Sequence, residues 1–135
     1  MLVKPLPNEN GVLAALNPAV YARLTPNLKR VRLEAGSTLF DIGSTSDHAW
    51  FITEGIASLF TTTEAGEITE AASVGREGVV GLSGLAKRNG LALWAQVQIS
   101  GEAFQVSLEI LQSMLRQEIA LYDLLFEYSH CSSSD

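Results

Sequence analysis

Two histidines, one cysteine and a scatter of carboxylates are the groups from which this 135-residue chain could build a reactive site. A metal centre on a β scaffold needs several His with Asp or Glu converging on one ion. His48 and His130 are separated by most of the sequence, and Asp47-His48 reads as a solvent-exposed turn before a strand. No metal is expected. Nucleophilic catalysis has no better footing, because no G-x-S-x-G elbow accompanies the serines and His130 lies in a tail without periodicity. Cys131 has no activating neighbour, and a single cysteine excludes both an internal disulfide and a cysteine-ligated iron–sulphur cluster. The carboxylates Glu64, Glu67 and Glu70 read as a solvated hairpin face rather than a paired acid and base. A G-x-x-x-x-G-K-[ST] phosphate loop is absent. The residues therefore point away from an enzyme.

The elements that would position any site fall into three blocks. Residues 1–10 carry two prolines and read as an extended arm. Over 11–24 the apolar positions Leu13, Leu16, Val20, Tyr21 and Leu24 fit a helical face. Asn17-Pro18 interrupts that face as a cap followed by a first-turn proline, so a second short helix starts there, and Thr25-Pro26-Asn27 stops it. From 28 to 106 the segments are short, β-branched and aromatic, and punctuated by glycine. Arg30–Glu34 alternates polar and apolar; Ala49–Thr53 and Ile56–Thr62 read as strands split by Glu54-Gly55. Glu64–Glu67 reads as a hairpin loop with Ile68–Val74 returning, and Gly75–Gly78 as a turn. Leu91–Ser100 is a long strand, Gly101-Glu102 a turn, and Ala103–Val106 a closing strand. Ser107 caps exit helices over 107–129, and residues 130–135 fray. The expected class is mainly β with flanking helices, a roll or jelly-roll.

Composition narrows the partners. The chain has 9 Lys+Arg against 15 Asp+Glu, a net −6, and 47% hydrophobic residues. That content supports a folded core, and the negative charge argues against a free-standing nucleic-acid binder. Apolar runs such as Val12–Leu16 and Leu91–Ala95 are too short to span a bilayer, and the N-terminus has no signal-peptide core. A cytoplasmic location without membrane contact is expected.

Three segments resemble the cyclic-nucleotide-binding-like domain of Crp/Fnr-type bacterial transcription regulators. They are Leu33–Gly43 (LEAGSTLFDIG), Trp50–Gly55 (WFITEG) and Ser73–Leu82 (SVGREGVVGL). The last resembles the branch of the family that reads V-G-R-E-G before its ligand loop. The resemblance covers about residues 11 to 129 and implies a β-roll with short N-terminal helices and a C-terminal dimerisation helix. It implies an effector site after Gly81, at Leu82, Ser83, Leu91, Ala92, Leu93 and Trp94. Ligand-binding members place a Glu for the ribose after that glycine, and an Arg and a small hydroxyl residue for the cyclic phosphate further on. Here Leu82 follows Gly81, and Leu91–Ala95 contains no Arg at any register. A phosphate buried there unpaired would cost several kcal/mol. Arg76, Lys87 and Arg88 are the candidate substitutes as anion contacts, although Lys87–Gly90 also reads as a solvated turn. The site is therefore expected not to take cyclic nucleotide with high affinity; another small effector stays unidentified, and a filled roll is the plainer reading.

The resemblance further implies a homodimer through Leu121, Leu124, Leu125 and Tyr128 of the exit helix. The chain stops about where the family's helix-turn-helix would begin, so DNA would be bound only through a domain missing here. The expected function is a regulator's sensor domain. The alternative is a stand-alone dimerisation module with no ligand.

Overall fold

The computed structural model describes residues 7–40, 47–62, 65–81 and 93–117. Its elements are α1 (Gly11–Ala14), α2 (Pro18–Leu24), β1 (Lys29–Leu33), β2 (Thr38–Phe40), β3 (His48–Thr62), β4 (Ile68–Val74), β5 (Val79–Val80), β6 (Leu93–Ser107) and α3 (Leu108–Gln117). All strand pairings are antiparallel. The fold is the mainly-β roll with short flanking helices that the sequence implied.

Two long strands, β3 and β6, form the spine. The 48–54 end of β3 pairs with the 102–107 end of β6, which also pairs with β1. The 56–61 end of β3 pairs with the 93–99 end of β6, and these ends carry β4 and β2 at the flanks. Register shifts at Ile52/Glu54, Glu54/Ile56 and Ile56/Ala57 mark where the spine bends. Such bulges increase local twist and let one strand serve both halves of a roll. Glu54-Gly55 and Gly101-Glu102 are therefore not turns that end strands. They are bends inside continuous ones, which corrects the split expected from the glycines.

The burial pattern explains the apolar run Ala49-Trp50-Phe51-Ile52. Successive strand residues face opposite ways. Trp50 and Ile52 join the roll interior with Leu33, Phe40, Ala57, Val74, Val80, Ala95, Val97 and Ala103. Ala49 and Phe51 join a second cluster, in which Val12, Leu13, Val20, Leu24, Leu108, Leu111 and Met114 of the three helices cover the sheet. A strand buried on both faces reads as a continuous hydrophobic run rather than an alternation.

The helix starts follow local chemistry. Asn17 caps α2 by accepting from the Val20 amide at 2.9 Å, with Pro18 in the first turn. Thr25–Asn27 closes α2 as a tight 3-10 turn. Ser107 Oγ accepts from the Glu109 amide at 3.1 Å at the start of α3. Two expectations are corrected. Residues 7–10 are not extended: Pro7–Glu9 form a 3-10 turn and Asn10 is fully buried. His48 is not in a turn either. It opens β3 opposite Ser107 and lies with its ring 6.0 Å from that of Trp50.

Candidate effector site

Gly81 is the last described residue before the segment expected to hold an effector. This glycine follows β5 with φ +106, and a Cβ there would overlap the His48 carbonyl. Both facts demand glycine, the first because L side chains avoid left-handed backbone, the second because there is no room. The chain is thus pinned against the start of β3 where the candidate loop begins. Leu82, Ser83, Leu91 and Ala92 lie outside the described residues, as do Lys87 and Arg88. The described chain resumes at Leu93, which pairs with Thr61.

Trp94 is described, and it faces away from the roll interior. Ala95 and Val97 point into that interior. Trp94, on the opposite face by the period of a strand, stacks on its cross-strand partner Phe60 with centroids 5.6 Å apart and planes 24° apart. It is half-buried there as an offset aromatic pair. Arg76 stands exposed in the Gly75–Gly78 turn. Its backbone carbonyl makes the contact that matters here, by accepting from the Gly11 amide at 2.7 Å.

The residue that organises this end of the roll is Asn10, which carried no role in the sequence reading. Its side chain is wholly buried and uses its full hydrogen-bonding capacity. Oδ1 accepts from the amides of Val12 at 3.0 Å and Leu13 at 3.1 Å, capping α1. Nδ2 donates to the carbonyls of Ile52 at 2.7 Å and Gly78 at 2.8 Å. One amide thus ties α1 to β3 and to the turn that leads through β5 into the candidate loop. Val12 and Leu13 of α1 belong to the same core cluster as Leu108, Leu111 and Met114 of α3, together with Ala49, Phe51, Phe104 and Val106 of the sheet. The turn before β5 is thus tied to α1 by hydrogen bonds, and α1 and the exit helix contribute to one core. The signal for this was present in the sequence: Asn is a preferred N-cap, and Val12-Leu13 follow it.

The exit-helix residues Leu121, Leu124, Leu125 and Tyr128 lie outside the described residues. Among the described residues no cluster of His, Cys, Asp or Glu is arranged to hold a metal ion. Among them, too, no helix is long and apolar enough to cross a membrane.

Comparison with known proteins places this architecture. Residues 30–118 match the family model of the cyclic nucleotide-binding domain. No curated protein sequence matches the chain significantly. Among solved structures, the N-terminal domain of a transcriptional regulator from Streptomyces coelicolor A3(2) is 23% identical, with a TM-score of 0.65 over 92% of this chain and 87% of that one. The catabolite activator protein of Thermus thermophilus is 17% identical, with a TM-score of 0.69 over 87% of this chain and 55% of its own. A structure from Eubacterium rectale, assigned to the crp/fnr family of transcriptional regulators, is 11% identical, with a TM-score of 0.76 over 93% and 59%. The chain thus spans little more than half the length of the two longer regulators. The fold is shared with these regulators, and the chain belongs to the cyclic nucleotide-binding domain family.

Proposed function

We propose that this chain is the sensor domain of a Crp/Fnr-like transcription regulator, a non-enzymatic cytoplasmic module whose effector site does not take cyclic nucleotides with high affinity. The observation that carries the reading is the join just described. The Gly75–Gly78 turn and α1 share the Asn10 clasp, and Val79, α1 and α3 contribute to one core cluster. Allosteric sensing needs two sites and an element whose position both can bias. A ligand beyond Gly81 would bias α3 through the clasp and the shared core, and the change would pass to a second copy through Leu121, Leu124, Leu125 and Tyr128. DNA contact belongs to a helix-turn-helix domain, because this acidic chain offers little to a polyanion.

The effector is a small molecule without a phosphodiester. Leu82, Leu91, Ala92 and Leu93 are apolar residues at the expected positions, and Arg76, Lys87 and Arg88 are the cations nearest in sequence. A thermal-shift screen of nucleotides, apolar acids and aromatic metabolites tests the sensing role. A saturable rise in Tm with one class is the expected result, since a ligand that binds the folded state stabilises it by mass action. No shift across the screen would leave the chain a dimerisation module and overturn the sensing role.

A further inference from the structure

We propose that Asn10-Gly11 is a deamidation site gated by the docking of α1, so that opening of the clasp can be made permanent by chemistry. An asparagine followed by glycine is chemically labile because no side chain on the next residue hinders attack. The Gly11 amide nitrogen attacks Asn10 Cγ and loses its proton. The Cγ–Nδ2 bond breaks and ammonia departs, leaving a cyclic succinimide. Water then opens the ring at either carbonyl and gives an aspartyl residue at position 10 or its isoaspartyl isomer. Apart from that water, no co-reactant is needed.

The docked structure holds every atom of this reaction away from it. Nδ2, the leaving group, donates to Ile52 and Gly78, while Oδ1 is held by the amides of Val12 and Leu13. The attacking nitrogen has its hydrogen committed to the Arg76 carbonyl at 2.7 Å. The side chain is 0% exposed, so the hydrolytic water is excluded as well. A Cβ on Gly11 would stand 3.0 Å from Glu77 Cα. The glycine that makes the site labile is therefore also what lets α1 lie against the turn. The other described asparagines do not share this pairing. Asn8 precedes Glu9, Asn17 precedes Pro18, whose nitrogen has no hydrogen to lose, and Asn27 precedes the branched Leu28.

Conversion would affect the two halves of the clasp differently. A carboxylate at position 10 still accepts from Val12 and Leu13, so the aspartyl product would leave α1 capped. It cannot donate to Ile52 and Gly78, and it would set an anion against two carbonyl oxygens. The helix would survive while its attachment to the roll is lost. Because Val12 and Leu13 share a core cluster with Leu108, Leu111 and Met114 of α3, the conversion would also weaken that cluster. Local opening governs such protection, as it does amide exchange.

The test incubates the whole protein at mildly alkaline pH, folded and in urea, and maps deamidation site by site. Asn89-Gly90, the second Asn-Gly dipeptide of the chain, is followed alongside it. Asn10 is expected to convert at least about tenfold more slowly in the folded protein than in urea. Leu13→Ala, which loosens α1 without altering Asn10 or Gly11, is expected to restore most of the lost rate. Val97→Ala, a similar deletion in the other core cluster, is expected to change it much less. Hydrogen exchange of the Gly11 and Val12 amides reads the opening without any variant and is expected to run in parallel. Converted protein is expected to exchange its α1 amides faster than unconverted protein. Equal conversion of Asn10 in folded protein and in urea would overturn the proposal. So would equal acceleration by both variants, which would mean global unfolding, or unchanged α1 exchange after conversion.

Discussion

Replacing Gly101 with alanine is expected to cost about 4 kcal/mol or more of folding stability, the range reserved for a few named mechanisms of disruption. Here the mechanism is backbone overlap. Gly101 pairs with Leu33 of β1 while β6 passes β3 at its bend. A Cβ at this position would coincide with the Glu54 carbonyl group and crowd the Gly55 amide. Neither partner can swing aside, because Gly55 itself holds φ +91 with its own Cβ position closed by the Ile99 carbonyl. The two paired strands approach this closely at the bend because both lack side chains there. Gly36→Ala is the control. Gly36 also has a left-handed φ, +90, but nothing lies within 4 Å of its Cβ position. Only the conformational cost remains there, about 1–2 kcal/mol. Urea denaturation followed by intrinsic fluorescence checks both, and a Gly101→Ala variant as stable as Gly36→Ala would refute this close approach.

Asn10→Ala is expected to destabilise the fold by roughly 3–5 kcal/mol. It removes the α1 cap and strands the buried Ile52 and Gly78 carbonyls, and each buried group left unpaired costs about 1–3 kcal/mol. Asn17→Ala removes a cap of the same residue type at an exposed position, with only the Val20 amide at stake. Its cost is expected near ~1 kcal/mol. The difference measures what the tether adds to capping. Denaturation midpoints of the two variants check it, and equal losses would mean that Asn10 is an ordinary cap.

Much of this fold was legible in the residues because local chemistry determined it. Asn17-Pro18 and Ser107 act as helix starts in the structure, and the hairpin expected around Glu64–Glu67 joins strands that pair as Thr62 with Ile68. What misled was glycine inside a strand. Gly55 and Gly101 look like turn punctuation along the sequence, but their roles depend on each other across the sheet, and neither shows its partner in one dimension. Asn10 escaped for the same reason, since two of its four bonds reach residues far away in the chain. Trp94 was legible as an apolar residue near the loop. Its direction was not, because one residue of register decides which face a strand side chain takes. Gly81, singled out as the start of the candidate effector segment, has in its φ and its close approach to His48 a structural reason to be glycine.

On the function proposed above, the chain keeps the architecture of its family but not the chemistry for a cyclic phosphate. A buried phosphodiester needs a guanidinium fork or several aligned donors. Leu82 follows Gly81, and Leu91-Ala92-Leu93-Trp94-Ala95 brings no cation. Arg76, the one described member of the three candidate anion contacts, is exposed in a turn. Calorimetric titration of the intact chain with cAMP and with cGMP tests this most directly. No saturable heat is expected from either nucleotide into the millimolar range, and micromolar or tighter binding of either one would contradict the proposed function.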